Sequence, residues 1–441
     1  MHRQILTSKR AITKIWAIVS VIIIAIVGAG VGIWYMTRPS PELGAVKIGA
    51  LGWMGHPTFA SGVYATKLAV DEINKTGGIL GRPVEFIMED GKHEVPTTVA
   101  AYKKLVTVDK VSLVVVSEGS EVTLACQEAG KELYPEYPHI MMAGGASSLD
   151  LPRKVLKNYD AYKFFYDLFP NITECHWGTY EGYIPQVIKP VASKVALIFE
   201  DAEWTIPHRK GDPAVGLPSY KELFEKHGIK VVYYAETSTK ETMFLPIFEE
   251  VARSGAEWME FVATHSDIIT FTKQWAESPA KDIPVTLWGG HNQQPAFWGQ
   301  TGGKCLGTLS FSTAFPVPLT EKTVPFVQEL TAKYEIAPSY AAYPAYDGVY
   351  LFKAAVEKVG SLKNMDAVVK ALEEVTIQGT TGIYKIKPEH QVMFGYPYII
   401  TPIVQWQGEN NVVVVYPPEV AKRANPGKGY VSPAELRAGG R

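Results

Sequence analysis

Three short loops hold most of the residues able to recognise a small molecule: Gly52-Trp53-Met54-Gly55, Ser117-Glu118-Gly119-Ser120 and Gly144-Gly145-Ala146-Ser147-Ser148. Each follows a β-type run. In open α/β sheets, ligands bind outside the carboxyl ends of the strands. These loops offer backbone N–H groups unobstructed by side chains, together with hydroxyls, a carboxylate and an indole. Gly119-Ser120 lies just before a helical run beginning near Glu121, where free N–H groups and a hydroxyl suit an anion. The alternative is that Ser120 only caps its own helix. The 144–148 loop likewise either exposes amides or is a tight turn.

Motifs for catalysis or cofactor binding are missing: there is no HExxH, no GxxxxGK[ST], and no GxSxG after a strand. No cofactor is therefore expected. The one glycine spacing of nucleotide-loop type, Gly28-Ala29-Gly30-Val31-Gly32, falls in an apolar stretch and reads as packing or chance. His265 and His291 lack metal-type partners at helical spacing and are expected to be internally satisfied or solvent-exposed. Cys126, Cys175 and Cys305 are too scattered for a zinc site or a disulfide framework; each is expected to be buried and reduced, unless two of them pair.

Short β-type runs alternating with helical ones must position these loops. Strands are expected at 46–51, 84–88, 111–116 and 139–143, with helices at 59–75, 97–108 and 121–133 between them. The pattern resumes with strands at 195–199, 230–235, 258–263 and 285–288, and helices near 216–227, 241–254 and 266–277. Such alternation implies βαβ units and parallel sheets covered by helices on both faces. Two series, broken near 165–170, predict two α/β lobes of similar build. The Gly/Pro-rich segment 425–441 reads as a loose tail.

Residues 15–37 carry no charged side chain, long enough for the roughly 20 residues a membrane-crossing helix needs. Arg3, Lys9, Arg10 and Lys14 precede them, which keeps the short amino-terminal end cytoplasmic and places the rest of the chain outside. A retained anchor is the preferred reading, because 31–36 extend the apolar run and place Trp34 and Tyr35 at an interface. A cleavable signal remains the alternative. Hydrophobic residues at 46% and charged residues at 20% describe a core-forming chain. A net charge of -2 with no basic stripe provides no field for nucleic acid.

Several segments together resemble one family. They are Ala69-Val70-Asp71-Glu72-Ile73-Asn74, Gly77-Gly78-Ile79-Leu80-Gly81, Asp90 before Val95-Pro96, 143–148, Ala345-Tyr346-Asp347-Gly348-Val349-Tyr350, Gly379-Thr380-Thr381-Gly382, and Val404-Gln405-Trp406-Gln407 running on to Tyr416-Pro417-Pro418. In this order, over about 46–420, they resemble the leucine/isoleucine/valine-type solute-binding proteins, receptors of ATP-driven ABC importers. The resemblance implies two Rossmann-like, doubly wound lobes joined by three crossovers, the type I periplasmic-binding fold, behind an N-terminal transmembrane helix. Lobe one would comprise 46–170 plus 318–393 and lobe two 171–317 plus 394–420. Residues 1–44 would be stub, membrane segment and linker, and 421–441 a tail.

The implied role is non-enzymatic: a monomeric extracytoplasmic domain traps a small-molecule solute between its lobes and passes it to permease subunits. In amino-acid-binding relatives the ligand carboxylate meets hydroxyls and N–H groups in loops matching Ser120 and Ala146-Ser147. The expected ligand contacts are Trp53, Ser117, Glu118, Ser120, Gly145, Ala146 and Ser147 from lobe one, and Asn171, Trp204, His265 and His291 from lobe two. The ammonium side departs from the family pattern. Asn171 and His291 align where relatives carry carboxylates, and Trp204 where a tyrosine is usual. Glu118, Asp201 or Glu203 would have to compensate; otherwise the solute is a neutral amide, or a carboxylate with an aromatic or aliphatic body. Two other roles are compatible with export: a ligand-sensing receptor domain, or a hydrolase using Ser120 or Ser147 with His265 or His291, for which no motif exists.

Overall fold

The computed structural model describes residues 44–439 except 171–172, 214–215, 265 and 313–314, with Thr173 and Glu203 described by their backbones alone. The 15–37 segment, Asn171 and His265 lie outside the described residues. Among the described residues no helix is long and apolar enough to cross a membrane.

The first sheet is five-stranded and parallel throughout: β1 (Val46–Gly52), β2 (Val84–Asp90), β3 (Leu113–Ser117), β4 (Ile140–Ala143) and β5 (Phe165–Asp167), in the order 2-1-3-4-5. β3 and β4 are buried at every residue, as β-branched and apolar runs covered on both faces must be. The second sheet has seven strands: β6 (Lys194–Glu200), β7 (Lys230–Thr237), β8 (Trp258–Val262), β9 (Val285–Trp288) and β10 (Leu309–Phe311) are parallel. A small hairpin of β11 (Thr376–Gln378) and β12 (Ile383–Lys385) precedes β13 (Ile403–Trp406) and β14 (Val412–Tyr416), which extend the second sheet antiparallel beyond β10. Its parallel strands run 7-6-8-9-10, repeating the winding of the first sheet.

Each sheet therefore reverses its winding once, between β1 and β3 and between β6 and β8. Ligands of doubly wound sheets bind at such a switch point, outside the carboxyl ends of the strands. Register brings those ends level: Gly52 pairs with both Asp90 and Ser117. In the second sheet, alternate residues enter separate cores. Ala196 and Ile198 pack on one face, and Val195, Leu197 and Phe199 on the other.

Helix α1 (Pro57–Lys75) starts with proline in its first turn and with the His56 ring accepting the Thr58 N–H at 3.3 Å. It ends at Gly77 and Gly78, whose φ of 101° and 77° only glycine adopts freely. Helices α2 (Val95–Thr107) and α3 (Ser120–Leu133) follow β2 and β3. A distant helix, Ala342–Val359, lies along α1, and its Tyr346 and Tyr350 hydroxyls donate to Glu72. The chain thus leaves the first core after β5, returns to it after β10, and leaves again after β12.

Residues 165–167 form edge strand β5, the last strand of the first sheet. One expectation is corrected. The 425–441 segment, as far as 439, packs on the second sheet instead of hanging loose. The Gln405 amide and Val431 backbone exchange bonds of 2.6 and 3.0 Å, and Arg437 stacks on Trp275 at 4.9 Å while donating to Asp282. Bridging glutamines and a ring to lean on supply what composition hides. The three cysteines are buried and form no disulfide.

Candidate functional site

At the switch point of the first sheet, the side chains converge on a histidine that the expected contacts did not include. Asp90 ends β2 and accepts the N–H groups of Met54 at 3.1 Å and Lys92 at 2.9 Å, tying the loops after β1 and β2 together. Lys92 and His93 then adopt φ of 54° and 58°, left-handed backbone that costs a side-chain-bearing residue energy. This turn brings His93 Nδ1 within 2.8 Å of Glu118 Oε2. Glu118 is fully buried, and burial raises its carboxyl above the usual range, with the His93 contact opposing. Its Oε1 has no hydrogen-bond partner. Trp53, His56 and Phe59 gather around the same imidazole. Trp53 stacks on His93 at 5.4 Å and on His56 at 4.9 Å, and Phe59 stacks on His93 at 5.7 Å.

The loop after β4 joins this face. Ser120 Oγ accepts the N–H groups of Ser147 and Ser148, both at 3.2 Å, so it links the two loops and does not merely cap α3. A hydroxyl accepting two N–H groups still has its own proton to give. A side chain at Gly145 would meet the Glu118 carbonyl at 3.0 Å and one at Gly119 the His93 ring at 2.9 Å, so both glycines allow close approach. Ala146 is fully buried behind them. Ser117 is the exception: its hydroxyl is buried without a partner, packed where a side chain on Gly62 of α1 would stand. It faces the helix, away from the loops.

The second sheet presents aromatic rings at the matching ends. Trp204 follows β6, half-buried, and donates its Nε1–H to Glu200 Oε1 at 2.6 Å. Glu200 also accepts from Thr264 Oγ1 at 3.3 Å, Ser266 N at 3.0 Å and Ser266 Oγ at 3.1 Å. These donors come from the ends of β6 and β8 and meet on one buried carboxyl group. Trp288 and Phe311 end β9 and β10, stacked at 4.1 Å. His176 meets Trp288 edge-on at 4.6 Å, and its Nδ1 lies 2.9 Å from His208 Nε2. Desolvation lowers both imidazoles, His208 to about 3, so the pair is neutral. Asp201 pairs with Arg209 at 3.1 Å. His291 is exposed just after Gly290, where a side chain would come within 4.0 Å of Thr58 in the first turn of α1. The loop after β9 thus comes near the first turn of α1.

Of the expected contacts, Trp53, Glu118, Ser120, Gly145, Ala146 and Ser147 lie together on the first sheet, with Glu118 behind His93. Trp204 and His291 border the second. Among the described residues no group of histidines, cysteines or carboxylates could hold a metal ion. His56, Phe59, His93, His176 and Glu200 were missed. His93 stood in the loop after β2, the one strand-end loop of the first sheet's first four passed over.

Two sheets of the same winding, with facing strand-end loops and three chain passages between them, define the type I fold of bilobed solute-binding proteins. The chain belongs to the periplasmic binding protein family, whose profile matches residues 45–407. Its relatives include the Leu/Ile/Val-binding protein homolog 3 of Brucella melitensis, 25% identical over 75% of this chain and 83% of that protein. Another is the Leu/Ile/Val-binding protein BraC3 of Rhizobium johnstonii, 25% identical over the same shares. Among solved structures, a putative branched-chain amino acid ABC transporter protein of Silicibacter pomeroyi superposes with a TM-score of 0.72, at 17% identity over 88% of this chain and 99% of that one. A Streptococcus pneumoniae substrate-binding protein in complex with isoleucine gives 0.64, at 20% identity over 85% and 100%. A solute-binding protein of R. palustris in complex with benzoate gives 0.62, at 17% identity over 84% and 95%.

Proposed function

We propose that this protein captures a small carboxylate or amide solute, amino-acid-like in size, between its two lobes outside the cytoplasm and delivers it to an ABC permease. Lobe one would be 46–170 plus 318–393 and lobe two 171–317 plus 394–420, with residues 15–37 anchoring the domain to the membrane. The observation that carries the reading is the loop cluster at the first switch point. There the Ser120 hydroxyl keeps a proton to give, next to the glycine-lined 144–148 loop. The relatives' ligands named above, isoleucine and benzoate, share a carboxylate and little else, which fits a donor set of this kind. Binding in such a cleft depends on closure that excludes water while each buried polar group finds a partner.

Thermal-shift screening of the full-length protein in mild detergent, against amino acids, amides, short carboxylic acids and aromatic acids, tests the reading. A solute at 100 times its Kd adds about 2.7 kcal/mol of stability. If no compound in these classes shifts the transition, capture of a small carboxylate or amide is wrong.

A further inference from the structure

His93 has the geometry of a ligand-gripping group. Its Nδ1 is fixed by a fully buried carboxylate, its ring stands over Gly119 at the start of α3, and 39% of its side chain remains exposed. The Nε2 edge lies 3.7 Å from where a Gly119 side chain would begin, and the next residue, Ser120, ties the β3 and β4 loops. Trp53 and Phe59 lie nearly parallel to the imidazole, at 16° and 13°, so a flat apolar surface adjoins the polar edge.

Among the described side chains, the carboxylates at the strand ends each already have a partner. Glu118 stands behind His93, and Asp90 holds the backbone of Met54 and Lys92. Glu200 accepts from Trp204, Thr264 and twice from Ser266. Asp201 faces Arg209, and Asp267 caps its own helix through Thr270. A buried ammonium lacking a carboxylate partner loses several kcal/mol.

We propose that His93, with one proton shared between its Nδ1 and Glu118 and a second on Nε2, donates that Nε2–H to the anionic end of the solute, and that this solute is a monocarboxylate with a planar body and no ammonium group. The inference rests on the solute-binding reading above and narrows it. His93 is then a specificity-determining contact and Glu118 a positioning residue.

Calorimetric titration of the full-length protein in detergent with matched probes tests this. 3-Phenylpropanoate and L-phenylalanine differ only by the ammonium, as do 4-methylpentanoate and L-leucine. 3-Phenylpropanamide removes the charge, and 4-methylpentanoate the ring. We expect 3-phenylpropanoate to bind at least tenfold tighter than L-phenylalanine and tighter than 4-methylpentanoate. His93→Asn tolerates the left-handed backbone and can still donate to Glu118, but removes Nε2. It should weaken 3-phenylpropanoate at least tenfold and the amide less than twofold. Glu118→Gln, which keeps an acceptor for Nδ1, should show the same acid-over-amide bias at smaller size.

Amino acids binding as tightly as their deaminated partners would overturn the proposal. So would equal losses for acid and amide in His93→Asn, or no binding by any of these probes. If the broad screen finds another solute while these probes fail, the receptor reading survives and only the ligand class falls. If the screen is also silent, both fall.

Discussion

Replacing Trp204 separates the two contributions its indole makes. Phenylalanine keeps an aromatic ring but removes the Nε1–H that reaches Glu200 at 2.6 Å. Glu200 is fully buried and would keep its contacts from Thr264 and Ser266. A hydrogen bond to a charged acceptor contributes about 1.5–3 kcal/mol. With the other donors taking up part of the deficit, Trp204→Phe should destabilise the protein by about 2 kcal/mol. Its affinity for any solute found in the screen should stay within a few-fold. Alanine also removes the ring. Covering the remaining ~50 Å² of a half-buried indole is worth about 1.3 kcal/mol at about 25 cal/mol per Å², roughly tenfold in Kd. Urea titration read by fluorescence, paired with calorimetric binding, measures both quantities on each variant. Wild-type stability in Trp204→Phe would show that the Glu200 contact contributes nothing. Unchanged affinity in Trp204→Ala would remove this ring from the cleft.

Three further outcomes are expected from the packing. Ser117→Ala should leave solute affinity unchanged and raise stability by up to about 1 kcal/mol, because its buried hydroxyl has no partner; weakened binding would return it to the cleft. Asp71 joins α1 to helix Thr323–Tyr334 through Lys333 at 2.7 Å and Tyr334 at 3.0 Å, and pairs with Lys67 of its own helix at 2.9 Å. Desolvation pushes its carboxyl up, but these three donors outweigh that and hold it at about 2, below the ordinary 3.8. The stability it adds is present above about pH 4 and is lost as pH falls towards 2. Asp71→Asn should therefore cost about 1 kcal/mol at pH 7, discounted for solvent screening, and nothing at pH 2, measured by urea unfolding. Glu260 behaves oppositely. Burial raises it from 4.5 to about 8, so the folded protein holds that proton longer than the unfolded chain. Stability should fall by about 2–4 kcal/mol between pH 4.5 and 8 on this account, and Glu260→Gln should flatten that slope; an unchanged slope would mean that another group causes it.

The buried parallel strands were legible because burial on both faces leaves a plain trace. The run expected at 111–116 is observed as Leu113–Ser117, and 285–288 is observed unchanged. β5 and β10 span three residues each, too short for any period, and β13 finds β10 only by long-range antiparallel pairing. The glycine loops were legible for a different reason, since glycine at a strand end signals close backbone approach. That signal also misleads. It drew Ser117 into the site by adjacency, although a side chain at the end of β3 can face α1 while Glu118, one residue on, reaches His93. It also hid His93, whose left-handed backbone is carried by a non-glycine residue and whose partner lies 25 positions away. Glu200 reads as the last residue of a strand, and only the winding brings Trp204, Thr264 and Ser266 onto it. Glycines therefore mark where strand-end loops approach closely, whereas residues such as His93 and Glu200 find their partners only through the folded topology. A residue that titration assigns to the cleft should, on this argument, be one with a long-range partner already in place before the solute arrives.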